Sequence, residues 1–257
     1  MELVIISLTA FLAAMLTFFS GFGLGTLLLP VFMLFFPVEL AIALTGVVHF
    51  LNNIFKIILV GRQADKTVVL RFGLPAVIAA LAGAWLLFRI PDTGPLFAYR
   101  LSDRYFEAYP VKFFIAFLLF IFAGMELIPY FVKLQFSRKR LSLGGALSGF
   151  LGGLSGHQGA LRSAFLIKAG LSKEAFIGTA VVVSTLVDFT RLSVYATQFS
   201  GTGLTENLTP VGCATLSAVT GAYTGNLLLK KITLGFLQRM VAVMLLLLAV
   251  ALGAGWL

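Results

Sequence analysis

The chain has 257 residues, 60% of them hydrophobic and only 11% charged, a balance that excludes a soluble globule. Its formal charge of +9 invites a nucleic-acid reading, but the basic residues sit at the ends of apolar runs, where they set membrane orientation rather than track phosphates. A lone Cys213 in an apolar run excludes an intrachain disulfide and a cysteine metal site, and with only His49 and His157 beside it no zinc centre or other cofactor is expected.

In chain order, residues 3–36 come first and are too long for one span. They carry no basic residues ahead of the apolar stretch, so they read as mature protein rather than as a signal peptide. A bend at Ser20-Gly21-Phe22-Gly23 divides them. Runs of spanning length follow at 39–60, 72–88 and 112–132, each near the roughly 20 residues that cross a hydrocarbon core. Between the last two lies an insertion, 89–111, in which Phe97, Tyr99, Tyr105, Phe106 and Tyr109 mix with Arg100, Asp103, Arg104 and Glu107. That mixture suits a helix lying in the membrane interface, or a plain loop. Residues 141–170 bend again at Gly152-Gly153-Leu154-Ser155-Gly156, and each arm is about 14 residues, or about 21 Å of helix, short of a full crossing. A re-entrant hairpin fits this segment better, while the longer arms of the first leave two genuine spans there as an alternative. Further runs at 173–196, 208–229 and 233–256 complete the chain.

The order repeats at an offset of 135 residues. Ser20-Gly21 recurs as Ser155-Gly156, Glu39 as Glu174, Asn53 as Asp188, Lys56 as Arg191 and Pro75 as Pro210. Basic loops (Arg62 to Arg71, Lys133 to Arg140, Lys168 to Lys173, Lys230-Lys231) alternate with neutral or mixed ones. The positive-inside rule therefore puts the basic loops in the cytoplasm and both termini outside. The expected fold is an all-α polytopic membrane protein of two inverted repeats, 1–134 and 135–257, each a re-entrant or broken-helix hairpin plus three transmembrane helices. The bends also admit a plainer account as sites of close helix packing.

Ionisable groups inside a bilayer are costly and therefore informative. Thr45, His49, Asn52, Asn53 and Lys56 form one helical stripe, matched on the partner segment by Ser184, Asp188, Arg191 and Tyr195. The bland alternative is that Asp188 and Arg191 neutralise each other while Lys56 and Arg191 snorkel to opposite interfaces. At the hairpin tips, helices beginning at mid-bilayer near Phe22 and His157 would present unpaired N–H groups and positive dipole ends, a setting that favours an anion. The candidate substrate-binding set is Ser20, Gly21, Gly23, Thr26, His49, Asn52, Asn53, Ser155, Gly156, His157, Gln158, Arg162, Asp188 and Arg191. No carboxylate neighbours either tip in sequence, which argues against a cation site. Gly153-Leu154-Ser155-Gly156 also matches the GxSG of rhomboid-type intramembrane proteases, but neither histidine is placed to serve Ser155 as general base.

Ser20-Gly21-Phe22-Gly23-Leu24-Gly25-Thr26 with Pro30, and Gly149-Phe150-Leu151-Gly152-Gly153-Leu154-Ser155-Gly156 with Gly159 and Ala160, resemble the two glycine-rich motifs that open the halves of the sulfite exporter TauE/SafE family. The second motif departs from the usual glycine cluster by carrying His157-Gln158. The resemblance implies export of sulfite or organosulfonates across the bacterial inner membrane. The expected protein is thus a transporter and not an enzyme, working by alternating access with the anion between the two half-helix N-termini. Its partners are a small anion and the lipid bilayer, without nucleic acid, and it leaves room for a homodimer. His157 or His49 is the side chain suited to couple a proton. A membrane scaffold without transport is the reading from another class.

Overall fold

The computed structural model describes residues 1–18, 24–90, 94–102, 104–128, 136–198, 206–228 and 234–256. Helices α1 (Glu2–Thr17) and α2 (Leu24–Met33) form the first hairpin, and α3 (Val38–Val60) follows after Pro37. Helix α4 (Lys66–Leu87) leads to strands β1 (Phe97–Leu101) and β2 (Arg104–Ala108), then α5 (Pro110–Leu127). The second hairpin is α6 (Leu141–Ser155) and α7 (Gly159–Leu166), succeeded by α8 (Lys173–Gln198), α9 (Leu208–Leu228) and α10 (Leu234–Gly253). The protein is mostly helical, and among the described residues three helices (Val38–Gln63, Lys66–Leu87 and Lys173–Thr197) are long and apolar enough to cross a membrane.

Local chemistry explains the breaks. Asp65 caps α4 by accepting a hydrogen bond from the Val68 N–H at 2.9 Å. Pro75 has no N–H to give the Arg71 carbonyl one turn back, the helix widens to a π-turn over Val69–Gly73, and that carbonyl accepts from Ser142 Oγ at 3.1 Å instead. In the second hairpin α6 runs on through Gly152 and Gly153 and ends only at Gly156, whose φ of 81° is the left-handed conformation that glycine adopts without penalty. The bend is therefore Gly156-His157-Gln158, four residues later than the expected start. At 1.5 Å per residue α6 and α7 are about 22 and 12 Å long, and α1 and α2 about 24 and 15 Å, so among the described residues no helical arm of either hairpin reaches about 30 Å. All ten residues of α2 are buried.

Packing follows the repeat with partners exchanged. Helix α6 lies along α4, and α1, the counterpart of α6, lies along α9, the counterpart of α4. Helix α8 touches α4 as α3 touches α9, α10 touches α2 as α5 touches α7, and the central pair α3 and α8 cross each other. The α4–α6 contact is close enough for backbone to meet backbone. A Cβ on Gly149 would sit 2.0 Å from the Ala76 carbonyl oxygen, and one on Gly145 2.0 Å from that of Phe72. Close helix packing thus accounts for Gly149 and Gly153 of the second glycine motif, as the plainer account of the bends had it.

Two ends of the bundle are distinguished by contacts between loops. Thr179 Oγ1 accepts from the Asp65 N–H at 2.9 Å, and Ser142 reaches Arg71, so the basic stretches 62–71, 138–140 and 168–173 gather at one end. At the other end Tyr99 donates to the Ala254 carbonyl at 2.8 Å and accepts from Trp256 Nε1 at 2.8 Å, joining the insertion to the C-terminal residues. Helix α4 runs from the first end to the second.

The insertion is neither the interfacial helix nor the plain loop that its composition suggested. It contains an antiparallel strand pair with Tyr99 opposite Phe106 and Leu101 opposite Arg104, and just past the first strand Ser102 takes a φ of 55°. Alternation is the reason. A period of two puts Phe97 and Tyr99 on one face, stacked on each other, with Tyr99 also stacked on Phe106 and Phe97 edge-on to Phe113 of α5.

Candidate functional site

At the crossing of α3 and α8 the sequence places polar residues in two apolar helices, and the fold brings them together. Asp188 is fully buried and takes four polar contacts. Arg191, one turn along the same helix, donates to Oδ1 from Nε at 3.0 Å, and its Nη2 lies 2.9 Å from the same oxygen as an ion pair. From α3, His49 Nδ1 lies 2.5 Å from Oδ2, and Asn53 Nδ2 donates to the same oxygen at 3.2 Å. Such saturation is what an ionised carboxylate in a low-dielectric interior requires. Asn53 and Asp188 stand 135 residues apart, so each touches its own counterpart in the repeat.

Beside this cluster is a cavity of about 20 Å³, room for about one water. Its lining includes Phe18 from the first tip, His49, Asn53 and Lys56 from α3, Arg162 from α7 and Ser184 from α8. Arg162 donates from Nη1 to Ser184 Oγ at 2.5 Å. Lys56 is 4% exposed, with Nζ 5.4 Å above the Phe18 ring. Two cations therefore line a space that, among the described residues, no carboxylate lines. The cavity lies in the half of the bundle that carries the basic loops, since Lys56 is one turn from the end of α3 and Ile177, also in its wall, one turn from the start of α8.

A second cluster occupies the opposite half. Gly25, Ile42, Thr45, Ser155, Gly156 and Arg191 converge there without leaving space for a water. Ile42, Thr45 and Arg191 are the 135-residue counterparts of Ile177, Ala180 and Lys56 in the first cavity. The Arg191 guanidinium fills the room above Gly156, where a Cβ would come within 2.7 Å of Nη1.

The expected site residues divide accordingly. His49, Asn53, Asp188 and Arg191 form one connected network, and Arg162 borders it across the cavity. Ser155 and Gly156 belong to the closed cluster, with Ser155 Oγ donating to the Leu151 carbonyl of its own helix at 3.1 Å. His157 is drawn elsewhere: its ring stacks on Phe122 at 5.2 Å and its Nδ1 lies 3.1 Å from the Ser155 carbonyl. Gln158 and Asn52 are buried with side-chain amides that meet no hydrogen-bonding group among the described residues, and Thr26 is buried on α2. Ser20, Gly21 and Gly23 lie outside the described residues.

Three sequence readings change. His157 and Gln158 do not line the cavity that holds Arg162, so the tip residues do not converge as one group. A carboxylate does stand near the second tip, because Asp188 binds the arginine that covers Gly156. Lys56 and Arg191 do not snorkel; both are buried, at 4% and 1% exposure. Lys56 is the residue the candidate set omitted. Its place as the counterpart of Arg191 was the signal that could have found it.

The match to a family model settles the class. Residues 6–252 match the model described as Sulfite exporter TauE/SafE, so the chain belongs to that family. The family is one of multi-pass membrane transporters of sulfur anions, so the protein is a transporter and not an enzyme. Neither the curated proteins nor the solved structures gave a match.

Proposed function

We propose that this protein is a bacterial inner-membrane exporter of a small sulfur-containing anion, sulfite or an organosulfonate, working by alternating access between inverted repeats 1–134 and 135–257. The observation that carries this reading is the cavity between the halves, with Lys56 from one and Arg162 from the other facing a shared space. Buried cations that outnumber the carboxylates around them favour an anion between them. The exchanged packing of the helices supports a pseudo-twofold relation, and the contact of Asn53 with Asp188 supports an axis passing between α3 and α8. Two related half-sites, one formed and one closed, are what a rocking transporter presents in a single conformation. The formed half-site is on the basic-loop side, which under this topology faces the cytoplasm, and it widens to admit an oxyanion of several heavy atoms.

In this scheme Arg162 and Lys56 hold the anion, Ser184 and Asn53 orient it, and Asp188 with Arg191 fixes the walls. The test is thermal stabilisation of purified protein by sulfite, sulfate, thiosulfate, sulfoacetate and taurine, since a ligand confined to the folded state raises its melting temperature. Arg162→Lys keeps the charge but loses the planar fork, and is expected to weaken binding by about 10- to 100-fold, the value of a charge-assisted hydrogen bond of about 1.5–3 kcal/mol. Wild-type affinity in both Arg162→Lys and Arg162→Met would remove Arg162 from the site.

Orientation has its own check. With Cys213 replaced, a cysteine at Ser102 in the hairpin turn is expected to react with an impermeant thiol reagent in intact cells, and one at Ser137 beside the basic stretch is not. The reverse pattern would overturn the periplasmic placement of the insertion and of the C-terminus beside it.

A further inference from the structure

We propose that the His49–Asp188 pair is a proton-binding site of the transporter, taking up one proton as the anion enters the adjoining cavity. The inference rests on the anion-transport reading and adds a second ligand to it. Histidine is the side chain that gains or loses a charge most readily near neutral pH, and the chain has two. The geometry separates their roles. His157 is stacked on Phe122 and does not line the cavity, whereas His49 lines it and spans the contact between the halves to Asp188.

The carboxylate's own contacts decide where a proton goes. Asp188 accepts from Arg191 on Oδ1 and from Asn53 on Oδ2, with His49 Nδ1 at 2.5 Å from the latter. It is held as the ionised acceptor of the network, so an added proton resides on the imidazole and leaves His49 as an imidazolium bound to a carboxylate. Charged groups around His49 are Lys56 on its own helix, Asp188 and Arg191 on α8, and Arg162 on α7 across the cavity. Helix α2 carries no titratable side chain, and α9 only Cys213 and Tyr223. With the cavity empty, three cations surround one carboxylate and oppose a further positive charge on His49. An anion between Lys56 and Arg162 reverses that balance. Anion and proton thus bind cooperatively, and by linkage each raises the affinity of the other.

The experiment is titration calorimetry of the purified full chain with sulfoacetate and with thiosulfate, neither of which buffers near neutrality, in two buffers of different ionisation enthalpy. Above the titration of His49 about one proton is expected to be taken up per anion, and affinity to fall about tenfold per pH unit as pH rises. His49→Gln is expected to bind without proton uptake and with a flat pH profile. Binding by wild type with no proton uptake overturns the proton site and leaves the anion site standing. Uptake that persists in His49→Gln assigns the proton elsewhere and overturns it too. If neither anion binds at any pH, the transport reading fails and the linked proton site with it.

Discussion

Gly149→Leu is expected to prevent accumulation of folded protein, and Gly149→Ala to destabilise it by about 1–3 kcal/mol, the usual cost of overfilling a packed contact. A Cβ at Gly149 would stand 2.0 Å from the Ala76 carbonyl oxygen and 2.5 Å from the Ala76 Cα, and these are backbone atoms that no rotamer change can move. Gly145 and Gly153, one turn to either side, meet the carbonyls of Phe72 and Ala80 at 2.0 and 2.2 Å, so α4 and α6 have to separate along the whole seam. Within a bilayer, helices gain little from hiding apolar surface from each other, because lipid is as apolar as leucine, and close backbone approach supplies the attraction. Gly212 is the control: nothing lies within 4 Å of its Cβ position, and Gly212→Ala should leave the melting temperature unchanged or slightly higher. Equal losses at Gly149 and Gly212 would show that the seam is not what holds α4 to α6.

The same seam shows what a sequence can and cannot disclose. The glycine spacing at 145, 149 and 153 was legible, yet it could serve either close packing or a broken helix, and only the neighbour's carbonyls distinguish the two. Long apolar runs placed the helices to within a few residues at most ends, while α4 starts at Lys66, six residues before the expected 72, because its first turns are capped and carry charge rather than a continuous apolar run. The hairpin was missed because its strands are five residues long and its aromatics too few to declare a period of two against one of 3.6. For the polar stripe, the sequence placed Thr45 to Lys56 on one face of α3 but left the depth of Lys56 open. A lysine four residues from a helix end can snorkel outward or turn in over Phe18, and tertiary contacts choose. The offset paired Asn53 with Asp188 but gave no reason for them to meet; under the proposed twofold arrangement such a pair touches only where the axis passes, a condition that the fold supplies.

Asp188→Ala is expected to destabilise the protein by about 3–5 kcal/mol, because it leaves a buried cation without its counter-charge. Arg191 is 1% exposed and is ion-paired and hydrogen-bonded to Asp188, and its guanidinium lies against Gly156 where no space for water remains. It cannot reach either interface without unpacking the second hairpin. Removing both partners should therefore cost less than removing one: Asp188→Ala with Arg191→Leu is expected to recover most of the lost stability, as buried ion pairs replaced together by apolar groups commonly do. Stability and transport then part company. The double variant is expected to fold, but His49 and Asn53 no longer share a carboxylate with α8, so the polar contact that ties α3 to α8 is gone and anion flux is expected to fall with it. The measurement is thermal unfolding of both variants in detergent, beside uptake of labelled sulfite into inverted vesicles. If the single and double variants unfold at the same temperature, Asp188 is not the counter-charge of Arg191. The arginine would then be held by the Tyr195 side of the cluster, whose hydroxyl already reaches the Gly153 carbonyl at 2.5 Å.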